Sequence, residues 1–312
     1  MTAIRDAFGK ALAELGEKNK NVVVLDADLA SSTKTTYFAA KFPDRFFQAG
    51  IAEQNMVGLA AGLASCGKIP FVASFAVFVT KRPADQVSIS IAYPGLNVKI
   101  IGAYTGLFNG LTGASHMAVE DISIMRSIPG IIVIDPADAE EMTQAVYAIA
   151  EFNGPVYLRE TRDEWPAVFD STYKFKIGKA ATVREGKDAA IIASGVMTSE
   201  SLKAAAILES EKINVRVVNM STIKPLDDKA VISCAADTGA IVTAENHNIY
   251  GGLGSAVAET VVKNFPVPME IIGIKDTLGE AGKNNELLEK YEMSATFIAD
   301  AVRKVIKRKK KS

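Results

Sequence analysis

Histidine and cysteine are scarce in this chain, two of each in 312 residues. With only His116 and His247 present, a His-rich metal centre is excluded. Cys66 and Cys234 lie in different stretches with no motif around them, which excludes a disulfide framework and reads as reduced thiols of a cytosolic protein. A surplus of one charge is missing too: 35 Lys and Arg face 36 Asp and Glu, and the net charge of −1 gives no general pull toward nucleic acid or an anionic membrane. The exception, Lys307-Arg308-Lys309-Lys310-Lys311, reads as a solvated helix end. The longest apolar run, near Leu59–Val79, is broken by Lys68 and Pro70, so no membrane-spanning helix is expected. Met1-Thr2-Ala3-Ile4-Arg5 has no signal-peptide pattern, and a cytoplasmic location is expected. Gly251-Gly252-Leu253-Gly254 lacks the G-x-G-x-x-G spacing and the acidic residue ~20 positions on. It reads as a tight turn feeding a packed helix, and NAD or FAD binding is discounted.

What is present is alternation. A chain of this length suits two domains at roughly 100–200 residues each, and 48% apolar residues provide a core for both. Ile4, Phe8, Leu12 and Leu15 recur at helical spacing, with Thr2 as an N-cap. Val22–Leu25 is continuously apolar, the mark of a strand buried on both faces, and Asp26-Ala27-Asp28 follows at its carboxyl end, where open α/β sheets bind ligands. Further strands are expected at Phe71–Ser74, Val98–Ala103, Ile131–Ile134 and Val156–Arg159, with helices at 52–65, 82–92, 118–127 and 138–151. The rhythm breaks over 163–183, where Asp163-Glu164-Trp165-Pro166 carries turn signals. It resumes with strands at Ala189–Ser194, Val215–Val218, Ala240–Ala244 and Met269–Ile274 and helices at 198–210, 227–236, 253–264 and from Ser294. The expected fold is therefore α/β, with two doubly wound parallel domains: 1–165, a linker at 166–183, and a smaller second domain at 184–312.

Few groups carry chemistry. Gln48-Ala49-Gly50-Ile51-Ala52-Glu53-Gln54-Asn55-Met56 places one acid, Glu53, at the head of a helix rich in small residues. It reads either as a carboxylate that favours the helix dipole or, in a crowded and dry place, as a group for proton traffic unless something pairs with it. Phe75 and Phe78 suit either a core or an apolar wall for a flat heterocycle. His116, on a loop after the glycine-rich Gly106–Gly113, is a capping residue or a ligand contact. Arg159, at a strand's carboxyl end, and Arg162 suit a phosphate or ion pairs with Glu160, Asp163 or Glu164. Arg5 and Ser32 are weaker signals, and His247 reads as structural. No self-sufficient catalytic arrangement emerges, which makes sense if a cofactor carries the hard step.

Taken together, Gly50–Met56, Ser74-Phe75-Ala76-Val77-Phe78-Val79-Thr80-Lys81-Arg82, Ser115–Asp121, Arg126–Pro129 and Asn219–Asp227 resemble the C-terminal half of transketolase, over essentially the whole chain. The resemblance implies a pyrimidine-binding domain followed by the transketolase C-terminal domain. It implies that Glu53, with Ala52 beside it, bonds a ring nitrogen of the aminopyrimidine of thiamine diphosphate and favours the tautomer that deprotonates the thiazolium carbon. Phe75 and Phe78 would pack on the pyrimidine, with Lys81 where a third aromatic often stands. His116 would contact substrate, while Arg5, Ser32 and Arg159 would hold a sugar phosphate. Two departures bear on donor choice: Asn109-Gly110-Leu111-Thr112-Gly113 replaces an acidic Gly-Glu-Asp-Gly segment, and Tyr104 stands near a common substrate histidine. Nothing resembles the segment that binds the diphosphate through a metal, Mg²⁺ or Ca²⁺. That implies a split enzyme in which a separate N-terminal subunit supplies it and two heterodimers assemble. The expected activity is ketol transfer between sugar phosphates. The rivals are the β subunit of a 2-oxoacid dehydrogenase first component, deoxyxylulose phosphate synthase, and a non-catalytic fold relative.

Overall fold

The computed structural model describes residues 3–309. The first domain is built on β1 (Val22–Asp26), β2 (Phe46–Gln48), β3 (Ile69–Phe75), β4 (Lys99–Ala103), β5 (Ile132–Ile134) and β6 (Val156–Glu160); the second on β7 (Ala181–Arg184), β8 (Ala189–Ala193), β9 (Val215–Asn219), β11 (Ile241–Asn248) and β12 (Met269–Ile274). Between β9 and β11 comes β10 (Thr222–Lys224), which joins the sheet of the first domain. The two orders are β10-β5-β6-β4-β3-β1-β2 and β12-β11-β8-β9-β7. Strands β1, β4, β5, β6 and β8 are buried along their whole length, as strands with helices on both faces are.

Both sheets are doubly wound but mixed, a correction to the all-parallel expectation. β10 runs antiparallel to β5, pairing Thr222 with Ile134, and β7 runs antiparallel to β9. These two strands and β2 are three or four residues long, too short to show a period. The helix expected over 82–92 is a helical turn at Ala76–Lys81 followed by a π-helix at Gln86–Ala92. The helix expected from 118 starts at Asp121, because Ala118 is bridged to Thr105. The helix Ile4–Lys18 has Ala3 at its N-cap position with no side-chain cap; Thr2 lies outside the described residues, as do Lys310 and Lys311. The described part of the basic run is docked: Arg308 Nη1 donates to Met269 O and Glu270, and Lys309 Nζ to Thr238 O. No helix among the described residues is long and apolar enough to cross a membrane.

Strand order reverses beside β1, whose parallel neighbours β2 and β3 lie on its two sides. The crevice at such a reversal, at the carboxyl ends of the strands, is where this architecture places a ligand. Asp26, Phe75, Ala103 and Glu160 end the strands there. The matching crevice of the second domain is filled by the first: Ser194 Oγ donates to Asp135 Oδ2 at 2.9 Å, Gly195 N donates to Asp135 O at 3.1 Å, and Asn219 Nδ2 donates to Glu141.

Candidate active site

Glu53 opens the helix Glu53–Ser65. Gly50, at φ +70°, turns the chain into it with open space beside its Cα, a left-handed conformation that favours glycine. The Glu53 side chain is 2% exposed. Its carboxylate accepts from Ser74 Oγ at 3.2 Å, and Arg82 Nη1 donates to both oxygens at 2.8 Å. Arg82 is the partner that the sequence left unidentified. Its guanidinium carbon also lies 4.0 Å from the centre of the Phe78 ring. A planar, donating group thus already lies against Phe78 and Glu53, and a flat heterocycle reaching Glu53 has to displace it. Glu53, Ala52, Ile51 and Arg82 line an open recess of ≈490 Å³, with Ile51 74% exposed at its rim.

The aromatic wall adjoins this recess. Phe75 and Phe78 are stacked with centroids 5.9 Å apart, Tyr104 stacks on Phe75 at 4.3 Å, and His116 stands edge-on to both phenyl rings at 5.8 and 5.4 Å. The His116 Nδ1 is 2.9 Å from Ser115 Oγ. Lys81 pairs with Glu120 at the rim. Thr112 is exposed, and its hydroxyl bonds its own loop at Asn109 O.

Arg5 Nη1 donates to the Tyr104 hydroxyl at 2.6 Å, while its buried Nε has no protein partner. Ser32 is half-buried on the short helix Ala30–Thr33; Lys34 just beyond it pairs with Asp6, the neighbour of Arg5. The structure corrects the reading of Arg159 as a phosphate ligand. That side chain is 1% exposed and spent: Nε and Nη2 donate to Asp121, Nη1 to Asp135 and Nη2 also to Asn246 O. Burial alone would lower its pKa, but Asp121 and Asp135 outweigh burial and raise it, so it is a fixed cation in the seam between the domains. Arg162 is the arginine that faces the site, its guanidinium carbon 5.1 Å from the Tyr104 ring centre and its Nη1 on Asn109 O at 3.2 Å. Its Nε makes no hydrogen bond but lies 3.8 Å from Asp163 Oδ1.

Two acids at the strand ends face inward. Asp26 accepts from Thr33 and Thr35 and from Leu29 N, and burial raises its pKa. Burial also pushes Glu160 well above the usual carboxylate range, Arg5 opposing it; neither Glu160 oxygen has a protein partner. Alternation along β6 turns Arg159 and Glu160 to opposite faces, and no sequence signal said which face carried the ligand.

Residues 1–167 match the pyrimidine-binding domain of transketolase and residues 178–298 its C-terminal domain. The chain is 43% identical, over 98% of its length and 95% of the relative's, to the 6-deoxy-6-sulfo-D-fructose transketolase subunit SqwH of Clostridium sp. (strain MSTE9). Against human transketolase it is 37% identical over 97% of its own length but spans 49% of that protein. A split-gene transketolase solved as an inactive β4 tetramer superposes over 99% of this chain and all of that one, with a TM-score of 0.93 at 47% identity. The chain belongs to the transketolase family. Within it, the chain spans the pyrimidine-binding and C-terminal domains, the part it shares with the SqwH subunit and the split-gene structure.

Proposed function

We propose that this chain is the C-terminal subunit of a thiamine diphosphate-dependent transketolase, acting with a separate N-terminal subunit in a dimer of heterodimers. Together they move a two-carbon ketol unit from a ketose phosphate to an aldose phosphate. The observation that carries the reading is Glu53: a carboxylate almost out of water, beside a stacked aromatic wall, at an open recess. That set fits the aminopyrimidine half of the cofactor. The diphosphate and its divalent cation are assigned to the partner subunit.

When bound, the cofactor supplies an acidic thiazolium carbon that carries the ketol unit. Glu53 holds a proton at the pyrimidine ring nitrogen; low hydration strengthens that bond. Phe75 and Phe78 would give the pyrimidine an apolar wall and exclude water, and Ala52 and Lys81 would help to hold it. His116 and Tyr104 orient sugar hydroxyls. Arg5 and Arg162, with Ser32, grip the anionic end of the sugar. The name of the Clostridium relative specifies a sulfonated ketose, which favours an anion grip over recognition of phosphate as such.

The test is reconstitution with the cognate N-terminal subunit, thiamine diphosphate and Mg²⁺. Ketol transfer from xylulose phosphate to ribose phosphate is the expected result. Turnover with pyruvate alone would move the chain to the 2-oxoacid dehydrogenases, and no turnover with any ketose would refute the reading.

A further inference from the structure

The loop that carries His116 is held from across the domain boundary. It begins at Gly106, at φ +64°, and a Cβ there would come within 2.1 Å of the Asn246 carboxamide at the end of β11. Asn246 Oδ1 accepts from Leu107 N at 2.9 Å, and its Nδ2 donates to Thr105 O at 3.2 Å. One side chain, 2% exposed, thus satisfies the backbone on both sides of the turn. Its neighbours hold the far end of the loop: His247 Nε2 accepts from Ser123 N at 3.2 Å, and Asn248 N donates to Val119 O at 2.7 Å. At the tip, Gly282 N donates to Gly110 O at 3.3 Å.

We propose that Asn246 is a positioning residue for the substrate. The second domain uses this carboxamide to fix the Thr105-Gly106-Leu107 turn, and through it the face that Tyr104 and His116 present. Tyr104 precedes the turn directly and lies on Phe75 at 4.3 Å; His116 follows on the same loop and stands against both phenyl rings. The site needs both a donor and an acceptor. Alanine supplies neither and leaves Leu107 N and Thr105 O buried without partners. Aspartate keeps the acceptor but turns an oxygen onto the Thr105 carbonyl. Only the identity of the ligand rests on the proposed function; the mechanical claim does not.

The experiment compares Asn246→Ala, Asn246→Asp and the control Asn248→Ala, whose backbone bond to Val119 survives. In the isolated chain, hydrogen exchange over 105–117 and the emission of Trp165 report on the loop. Trp165 is the only tryptophan, and its ring packs on Phe108 of the loop at 4.9 Å. Both Asn246 variants should exchange about tenfold faster there, as for the loss of ~1.4 kcal/mol of hydrogen bonding, with red-shifted emission; Asn248→Ala should match the parent. In the reconstituted enzyme, KM for the ketose phosphate should rise about tenfold while the dissociation constant for thiamine diphosphate stays within about twofold. Unchanged exchange and emission would overturn the proposal. So would sugar and cofactor affinities falling together in step with Tm, which is what a merely structural residue gives. If Asn246→Ala does not fold, Asn246→Ser carries the same comparison. If the parent enzyme transfers no ketol unit, the proposed function falls, while exchange and emission still decide the role of Asn246.

Discussion

Two arginine–carboxylate clusters show how this chain uses buried charge. At the recess, Arg82 holds Glu53 with one nitrogen; the acid is 2% exposed and the arginine 43%. In the domain seam, Arg159 holds Asp121 and Asp135 with all three of its nitrogens, and no member is more than 2% exposed. The second cluster has no outlet, because removing Arg159 strands two carboxylates in a dry interior. The first can open toward water at small cost, since a half-exposed arginine gains little from its pair. An acid that must exchange one partner for another belongs in the first setting, and a structural hinge pin in the second.

Four experiments bear on that contrast. The largest effect is expected for Glu53→Gln: proton exchange at the thiazolium carbon in the reconstituted enzyme should slow by about 10³-fold, ~4 kcal/mol, with Tm nearly unchanged. Near-normal exchange would remove Glu53 from the chemistry. Arg159→Met should destabilise by about 3–5 kcal/mol in denaturant titration, the cost of two stranded carboxylates. A loss under 1 kcal/mol would mean that water reaches the seam.

The third uses Glu141, which burial pushes up to about 7 against donors from Ala137 N, Tyr173, Ser221 and Asn219. A raised folded-state pKa means that the folded chain binds the proton more tightly. Stability should therefore be greatest below the unfolded value near 4.5 and fall as pH rises toward 7, by about 1.4 kcal/mol per unit at most. Glu141→Gln should flatten that slope, and an unchanged slope would place the titration elsewhere. The smallest effect is expected for Arg82→Ala. It should cost less than about 1 kcal/mol of stability, yet aminopyrimidine alone should bind about threefold tighter by calorimetry, because the guanidinium no longer lies on Phe78. Weaker binding would make Arg82 part of the cofactor grip.

Much of this was legible in residue order. The apolar runs Val22–Leu25 and Ala189–Ala193 marked buried parallel strands. Glu53 is buried, but not through close packing of the small residues that follow it, since Gly58 and Gly62 have open space beside them. Arg159 was misread for a definable reason. A strand-end arginine serves a ligand or a counter-ion equally well, and the counter-ions, Asp121 and Asp135, lie 38 and 24 residues away. Only the fold brings them together. Asn246 was hidden in the same way, inside a segment whose histidine drew the eye. Short edges such as β2, β7 and β10 hold too few residues for a period to show.

The strand β10 belongs to one domain by sequence and to the other by hydrogen bonding. A polypeptide cut at the linker would take the outer rung off the larger sheet and leave the backbone of Ile132–Ile134 open along one side. Such a fragment offers a bare template to any neighbouring chain, so the halves of this protein are expected to be soluble only when made together.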